Sequence, residues 1–483
     1  MPELYIRHCE SLCLTKQSIN IFRINKLPHP TTVGFAMTKI KNYEMEIIGN
    51  IKMKIRSLVL LMTFVSVSLV AQENLSLSDA INTGLENNYN LRISEKSVEI
   101  SDENNSWGTA GRFPTIDVSV SSQNRLNHDV DEDSDIKINN IAPSAQLNWV
   151  LFNGFQIFNT KSKLEDQFKL SQGYNAIAIE NTIQSIILAY YEVLLQKERL
   201  TVFEELEKLS KDRFDRTETS KEIGGAVTFE VLQAKTSWLE DRSNYLSQKL
   251  NYDNSVRALN LLIGEKTDKS YTGFDDFDTD LNNYLYEDLE SKMLASNSTL
   301  KNQYISEVIS ERDVDIARGG MYPKISLNAG YDYLNSKQQL NSFPKETTRS
   351  YDYYGNVSLS LNLFDGLNTR RSLEIAQIQS EISKIETEEM IHTLTNLLTQ
   401  LVELYNIQKD LLDVADENMA AAKLNYQISE EKFKSGAINS FNFRDVQLIY
   451  LNAAQQKLQA IYNFIDTHSS LLRMTGTIIQ EFE

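Results

Sequence analysis

Hydrophobic positions along this chain keep two different periods, and both periods return in a second half. From Ile391 the apolar set runs Leu394, Leu398, Leu401, Tyr405, Leu412, Ala415, Met419, Ala422, Tyr426 and Phe433, with Gln408 and Ser429 in register. Steps of three and four make a seam for helix-on-helix packing. Leu448, Leu451, Leu458, Tyr462, Ile465 and Leu472 form another seam, and Trp238, Tyr245, Tyr252, Val256, Leu259 and Ile263 form one in the first half. Residues 157–222 contain no Pro and one Gly. That run predicts an uninterrupted helix of ~100 Å at 1.5 Å per residue.

Elsewhere the period is two. Ile116, Val118 and Val120, then Leu147, Trp149 and Leu151, alternate with polar residues in the first half. Ile325, Leu327, Ala329, Tyr331 and Tyr333, then Tyr351, Tyr353, Gly355, Val357, Leu359, Leu361 and Leu363, do so in the second. Stretches of about ten alternating residues are the signal of outer-membrane-type strands. The segments between the paired strands are polar. His128 to Asn140 is dense in acid (Asp129, Asp131, Glu132, Asp133, Asp135) and reads as an exposed extracellular loop, while Ser336 to Arg349 is mixed. Trp149, Tyr331, Tyr333, Tyr351, Tyr353 and Tyr354 fit an aromatic girdle at a membrane interface, and ordinary strand propensity accounts for them equally well.

Short landmarks recur in the same order at an offset of about 210 residues, the mark of an internal repeat. Phe113-Pro114-Thr115-Ile116 returns as Tyr322-Pro323-Lys324-Ile325, and Leu151-Phe152-Asn153-Gly154 as Leu363-Phe364-Asp365-Gly366. Gly225-Ala226-Val227-Thr228 returns as Gly436-Ala437-Ile438-Asn439, and Leu262-Ile263-Gly264 more weakly as Met474-Thr475-Gly476. The first repeat is therefore set at 72–270, with a helix, strands at about 115–127 and 141–152, and a long helical hairpin. An acidic linker occupies 271–286. The second repeat, 287–483, has a helix, strands at about 324–335 and 350–364, and a second hairpin. Ser78 and Glu287-Asp288 are expected to start the opening helices. Pro114 and Pro323 are expected to end those helical runs. Phe152, Gly154, Phe364 and Gly366 mark strand-to-helix junctions at a membrane edge.

Charge and targeting then narrow the class. Lys+Arg 48 against Asp+Glu 66 gives −18, a poor balance for nucleic acid. Met53-Lys54-Ile55-Arg56 followed by the apolar run Ser57 to Val70 has the layout of a signal peptide, placed at 53–71. Residues 1–52 before it read as a non-native extension. Both cysteines, Cys9 and Cys13, precede the expected cleavage point, which leaves no disulfide, thiol or Cys ligand. No P-loop, G-x-S-x-G, G-x-G-x-x-G or H-E-x-x-H motif occurs, so neither an enzyme nor a cofactor is expected. Asp276, Asp278, Asp280 and Glu287 imitate the spacing of a calcium loop, but Leu281 stands where the turn needs glycine. They read as a solvated linker.

Four strands per chain cannot stand in a bilayer with open edges. Two chains would make eight strands, whose lumen side chains fill, whereas three make twelve and leave a passage. The fold expected is mainly α with a β membrane portion: a duplicated helix–strand–strand–long helix–helix unit, forming a trimeric α-helical tube joined to a shared 12-stranded barrel. A non-conducting periplasmic coiled-coil adaptor is the alternative, and it lacks a use for four amphipathic strands. On Leu77-Ser78-Asp79-Ala80, Asn87-Asn88-Tyr89-Asn90-Leu91, the paired Phe/Tyr-Pro and Leu-Phe-Asn/Asp-Gly elements and the glycine-led hairpins, the chain resembles the TolC family of outer-membrane efflux proteins. The resemblance implies a homotrimeric exit duct in outer-membrane lipid, working with a periplasmic adaptor and an inner-membrane pump in tripartite efflux or type I secretion. It also implies adaptor-facing tips at Gly224, Gly225, Ala226, Val227 and Thr228 and at Gly436, Ala437, Ile438 and Asn439. One aspartate position of the family's periplasmic constriction matches Asp445, and the other holds Asn442. The plainer reading of Asp445 is an acid near a helix N-terminus.

Overall fold

The computed structural model describes residues 74–277, 283–341 and 343–481. The expected extension, the signal peptide and the acids of the linker at 278–282 lie outside them. Within the described residues one order of elements occurs twice. Strand β1 (Asn74–Leu75) precedes helices α1 (Leu77–Asn87) and α2 (Tyr89–Asn104), strands β2 (Thr115–Asp129) and β3 (Ser134–Asn153), and helices α3 (Gln156–Glu222) and α4 (Thr228–Leu262). Strand β4 (Gly273–Phe274) is followed by α5 (Tyr286–Ser296), α6 (Ser298–Gly319), β5 (Lys324–Leu340), β6 (Glu346–Ser360), α7 (Asn368–Lys434), α8 (Ser440–Met474) and the short α9 (Ile478–Glu481). The long helices α3 and α7 both have 67 residues, and α4 and α8 both have 35.

Each opening segment is two helices, where the sequence pattern suggested one. Asn88 breaks the first copy: its Oδ1 accepts from the N–H groups of Asn90 and Leu91, and its Nδ2 donates to the Leu262 carbonyl at 2.7 Å. Asn297 repeats the device, accepting from Leu300 N–H at 2.9 Å and donating to the Met474 carbonyl at 2.9 Å. One amide side chain thus caps a new helix and ties it to the end of α4 or α8. The starts also differ from expectation. Ser76, not Ser78, accepts from Asp79 N–H, and α5 begins at Tyr286 with Glu287 and Asp288 in its first turn. Helix α2 stops at Asn104, well before Pro114, because the turns at 105–112 intervene. Pro323 follows the end of α6 after a turn at 320–322 and directly precedes β5.

The core lies around the middle of α3, where Ile183, Ile186, Tyr190, Val193 and Leu194 meet α4 and its C-cap (Leu259, Ile263), α7 (Leu398, Tyr405) and α8 (Phe464, Leu471). Ala80 and Ile81 of α1 and Leu289 and Met293 of α5 close it. Tyr190, fully buried, donates to the Leu75 carbonyl and accepts from Asp275 N–H. It fixes the parallel pair β1–β4 that starts the linker.

The four longer strands form one antiparallel sheet in the order β2-β3-β5-β6, so β2 and β6 are its edges. They extend past the expected bounds at the hairpin ends. The second begins at Ser134 instead of 141, the third runs to Leu340 instead of 335, and the fourth begins at Glu346. The acidic loop shrinks to a turn at 130–133, because backbone pairing continues through polar sequence as far as Asp129↔Ser134. The fourth strand ends at Ser360, leaving Leu361, Leu363 and Phe364 exposed and unpaired.

Both junctions into long helices use two successive left-handed residues, Gly154-Phe155 (φ 67° and 65°) and Gly366-Leu367 (φ 69° and 67°). A Cβ on Gly154 would strike the Gly319 carbonyl, whereas one on Gly366 meets nothing within 4 Å. Gly154→Ala is expected to cost on the order of 2 kcal/mol or more, and Gly366→Ala about 1 kcal/mol, the left-handed penalty alone. Thermal melts of the two variants would show the difference; equal losses would contradict the close approach.

Candidate functional site

The sheet has two chemically different faces. Cross-strand partners share a face, so the register Ile116↔Leu147↔Ala329↔Gly355 and Val118↔Ala145↔Tyr331↔Tyr353 puts an apolar row across all four strands. Trp149, Leu327 and Val357 lie in the next row on this face. The opposite face carries Ser119, Ser144, Asp332 and Asp352 in one row and Asn148, Asn328 and Asn356 in another. Along β5 the apolar run Ile325 to Tyr333 spans ~26 Å at ~3.3 Å per residue, and strand tilt shortens its height toward the band a bilayer requires. Tyr331, Tyr333, Tyr351 and Tyr353 cluster on the apolar face toward the hairpin end, with Tyr331 and Tyr353 rings 4.9 Å apart. Tyr354 lies on the polar face with Gly330, so only part of the expected girdle shares one side. Apolar side chains at both edges, Val118, Val120, Val357 and Leu359, are 69–76 % exposed.

The junction residues divide between the copies. Phe152 meets Phe155 edge-on at 5.2 Å, and Phe155 meets Tyr322 beside Pro323 at 6.3 Å. Phe364 is 79 % exposed. Pro114 is exposed directly before β2, and Gly366 is open. The unfilled contacts fall on the two sheet edges.

At the far ends of the long helices the two tips share a geometry. Gly224 (φ 80°) and Gly436 (φ 77°) take the left-handed position, with Val227 and Asn439 as the following N-caps. This pairs Gly224, not Gly225, with Gly436, one residue off the sequence alignment. The closing bond is the same in both, Gly225 N–H to the Ser220 carbonyl at 2.7 Å and Ala437 N–H to Lys432 at 2.8 Å, the bond pattern of a helix C-cap. Ala226 and Ile438 are half-buried, while Gly225, Val227, Thr228, Ala437 and Asn439 are exposed. Asn442 N–H donates to the Asn439 side chain at 2.9 Å, inside the capping turn. Asp445 is exposed one turn further on, on the same side of α8 as Asn442.

The apolar seams missed the polar groups that join the two hairpins. Asp241 of α4 is 1 % exposed at its side chain and takes a two-pronged ion pair from Arg444 of α8, at 2.6 and 2.7 Å. Arg213 of α3 is buried beside them. Burial and the like charge of Arg444 pull its guanidinium down to about 10, partly offset by Asp241. Gln248 of α4 donates to the carbonyl and side chain of Gln196 of α3, inside the first hairpin. Gln447 is buried where the seam expected Leu448, which is exposed. Among the described residues no group of His, Asp or Glu side chains is placed to hold a metal, and no helix is long and apolar enough to cross a membrane.

The sequence matches the family described as outer membrane efflux protein over residues 80–265 and 289–477. A probable efflux pump outer membrane protein TtgC from Pseudomonas putida is 21 % identical over 387 residues, 79 % of this chain and 78 % of that protein. The outer membrane protein TolC of Vibrio cholerae is 21 % identical over 323 residues, 66 % of this chain and 72 % of that protein. Among solved structures, the Campylobacter jejuni CmeC outer membrane channel matches with TM-score 0.66 at 16 % identity, covering 83 % of this chain and 85 % of that one.

Proposed function

From the premise that this chain belongs to the outer membrane efflux protein family, we propose that three copies close one exit duct across the outer membrane and into the periplasm. The observation that carries the number and the closure is the four-stranded sheet with two free edges and one apolar face. A lone sheet would leave its edge N–H and C=O groups unpaired in hydrocarbon, so β6 of one copy pairs with β2 of the next. Twelve strands leave a lumen lined by the polar face, carrying Asp117, Asp332 and Asp352. The 67-residue helices, ~100 Å long, continue the lumen as a tube.

Such a duct moves cargo passively. Energy comes from an inner-membrane pump, engaged through a periplasmic adaptor at the exposed tips around Gly224 and Gly436. The chain carries out no catalysis in this reading. A non-conducting adaptor is disfavoured, since its sheet would need no face of one chemistry and 15–20 residues per strand.

Asp445 is assigned to the periplasmic aperture. Threefold symmetry brings three exposed Asp445 carboxylates toward one axis, and such a ring favours cations and binds multivalent ones. Asn442 leaves the adjacent ring uncharged. In planar-bilayer recordings the duct should prefer cations, and Asp445→Asn should lower that preference and weaken block by multivalent cations several-fold. Asn442→Asp should raise both. Conductance without any change in either variant would return Asp445 to the role of a helix-terminus acid.

A further inference from the structure

Between the two helical hairpins lies a buried guanidinium that shares its one neighbouring acid, Asp241, with Arg444. Arg213 is 3 % exposed, its Nε has no hydrogen-bond partner, and its Nη1 reaches the Ser440 carbonyl only at 3.5 Å. Among the described residues it forms no direct ion pair, and the two oxygens of its neighbour Asp241 accept from Arg444 instead. Guanidinium groups stay charged, and a buried charge left unpaired costs several kcal/mol.

The space beside Arg213 suits an anion. A cavity of about 420 Å³ has a polar part lined by Arg213, Arg444, Gln233, Ser237, Asn439 and Ser440, and its remaining wall is largely apolar, with the rings of Phe229 and Phe441. Two guanidinium groups, a hydroxyl from each hairpin and two amides thus border one cavity. The cavity also opens on the first turns of α4 and α8, which begin at Thr228 and Ser440, and helix N-termini favour anions. The one carboxylate on its rim, Glu230, is turned to the Val227 N–H at 3.1 Å.

We propose that this cavity binds a small oxyanion, a phosphate or a carboxylate, with Arg213 as its principal partner. Bound there, the anion joins α3 of the first repeat to the start of α8 in the second.

The test is calorimetric titration of the purified full chain in detergent with inorganic phosphate, and separately with acetate, at ionic strength held constant with sodium chloride. At least one of the two should bind saturably at one site per chain. Arg213→Met, which keeps most of the side-chain volume, should weaken that binding about tenfold or more. Ser237→Leu fills the cavity while leaving both arginines, should weaken it as much, and decides alone if Arg213→Met does not fold. Absence of saturable binding by either anion, or unchanged affinity in Ser237→Leu, would overturn the site.

Discussion

Asp241→Asn should be the most damaging single change in the helical part of the protein. It removes the carboxylate from a pair in which Asp241 is 1 % and Arg444 14 % exposed at the side chain, and it leaves Arg444 and Arg213 facing one another without an acid between them. Breaking a buried, hydrogen-bonded pair by removing one partner costs about 3–5 kcal/mol, whereas replacing both partners with apolar groups is often neutral. The double change Asp241→Leu with Arg444→Met should therefore recover most of the loss. Denaturant unfolding followed by helix content measures both. A single variant as stable as the parent, or a double variant no better than the single, would mean that the pair is solvated in the assembled protein.

That pair also marks where sequence reading stops. The long helices were legible because nothing in 157–222 interrupts them and because Leu394, Leu398, Tyr405 and Leu412 repeat at seam spacing. Those four are buried in the structure. Asp241 and Gln248 of α4, Arg213 of α3 and Gln447 of α8 are buried too, but a polar residue carries no periodic signal of burial. Only a partner on another helix makes it acceptable inside. The strands were legible as far as their faces differed. Beyond the apolar band the alternation changes phase, with Ile136, Ile138 and Leu340 on the face that carries Ser144 and Asn148 lower down, so the hairpin continuation from Ser134 and to Leu340 did not extend the pattern of the band. Asn88 and Asn297 were visible as asparagines in a repeated context, yet their double role depends on the carbonyls of Leu262 and Met474, far away in sequence.

The second large effect is expected at the membrane. Val118 is at the centre of the apolar run of β2 and 76 % exposed, and Ser119, the next residue, lies on the other face with its hydroxyl 2.9 Å from that of Ser144. Val118→Arg places a guanidinium against lipid, at about 2–4 kcal/mol per copy near the bilayer midplane. Repeated at each subunit, this should abolish assembly in the outer-membrane fraction. Ser119→Arg points the same charge into the lumen, where it should assemble normally and reduce cation conductance. Equal assembly of both variants would show that the two faces have been assigned to the wrong environments.

The central claim is that identical copies close a ring through β6 and β2. Internal duplication specifies how. Asn148 of β3 pairs with Asn328 of β5, and the repeat places Ser360 where Asn148 stands and Ser119 where Asn328 stands. Antiparallel partners have Cα separations that a disulfide can bridge. With Cys9 and Cys13 replaced by serine, the double variant Ser119→Cys and Ser360→Cys should oxidise in the outer membrane to a ladder ending at three chains. A ladder that ends at two, one that continues past three, or no cross-link in protein that is assembled in the membrane would contradict the account.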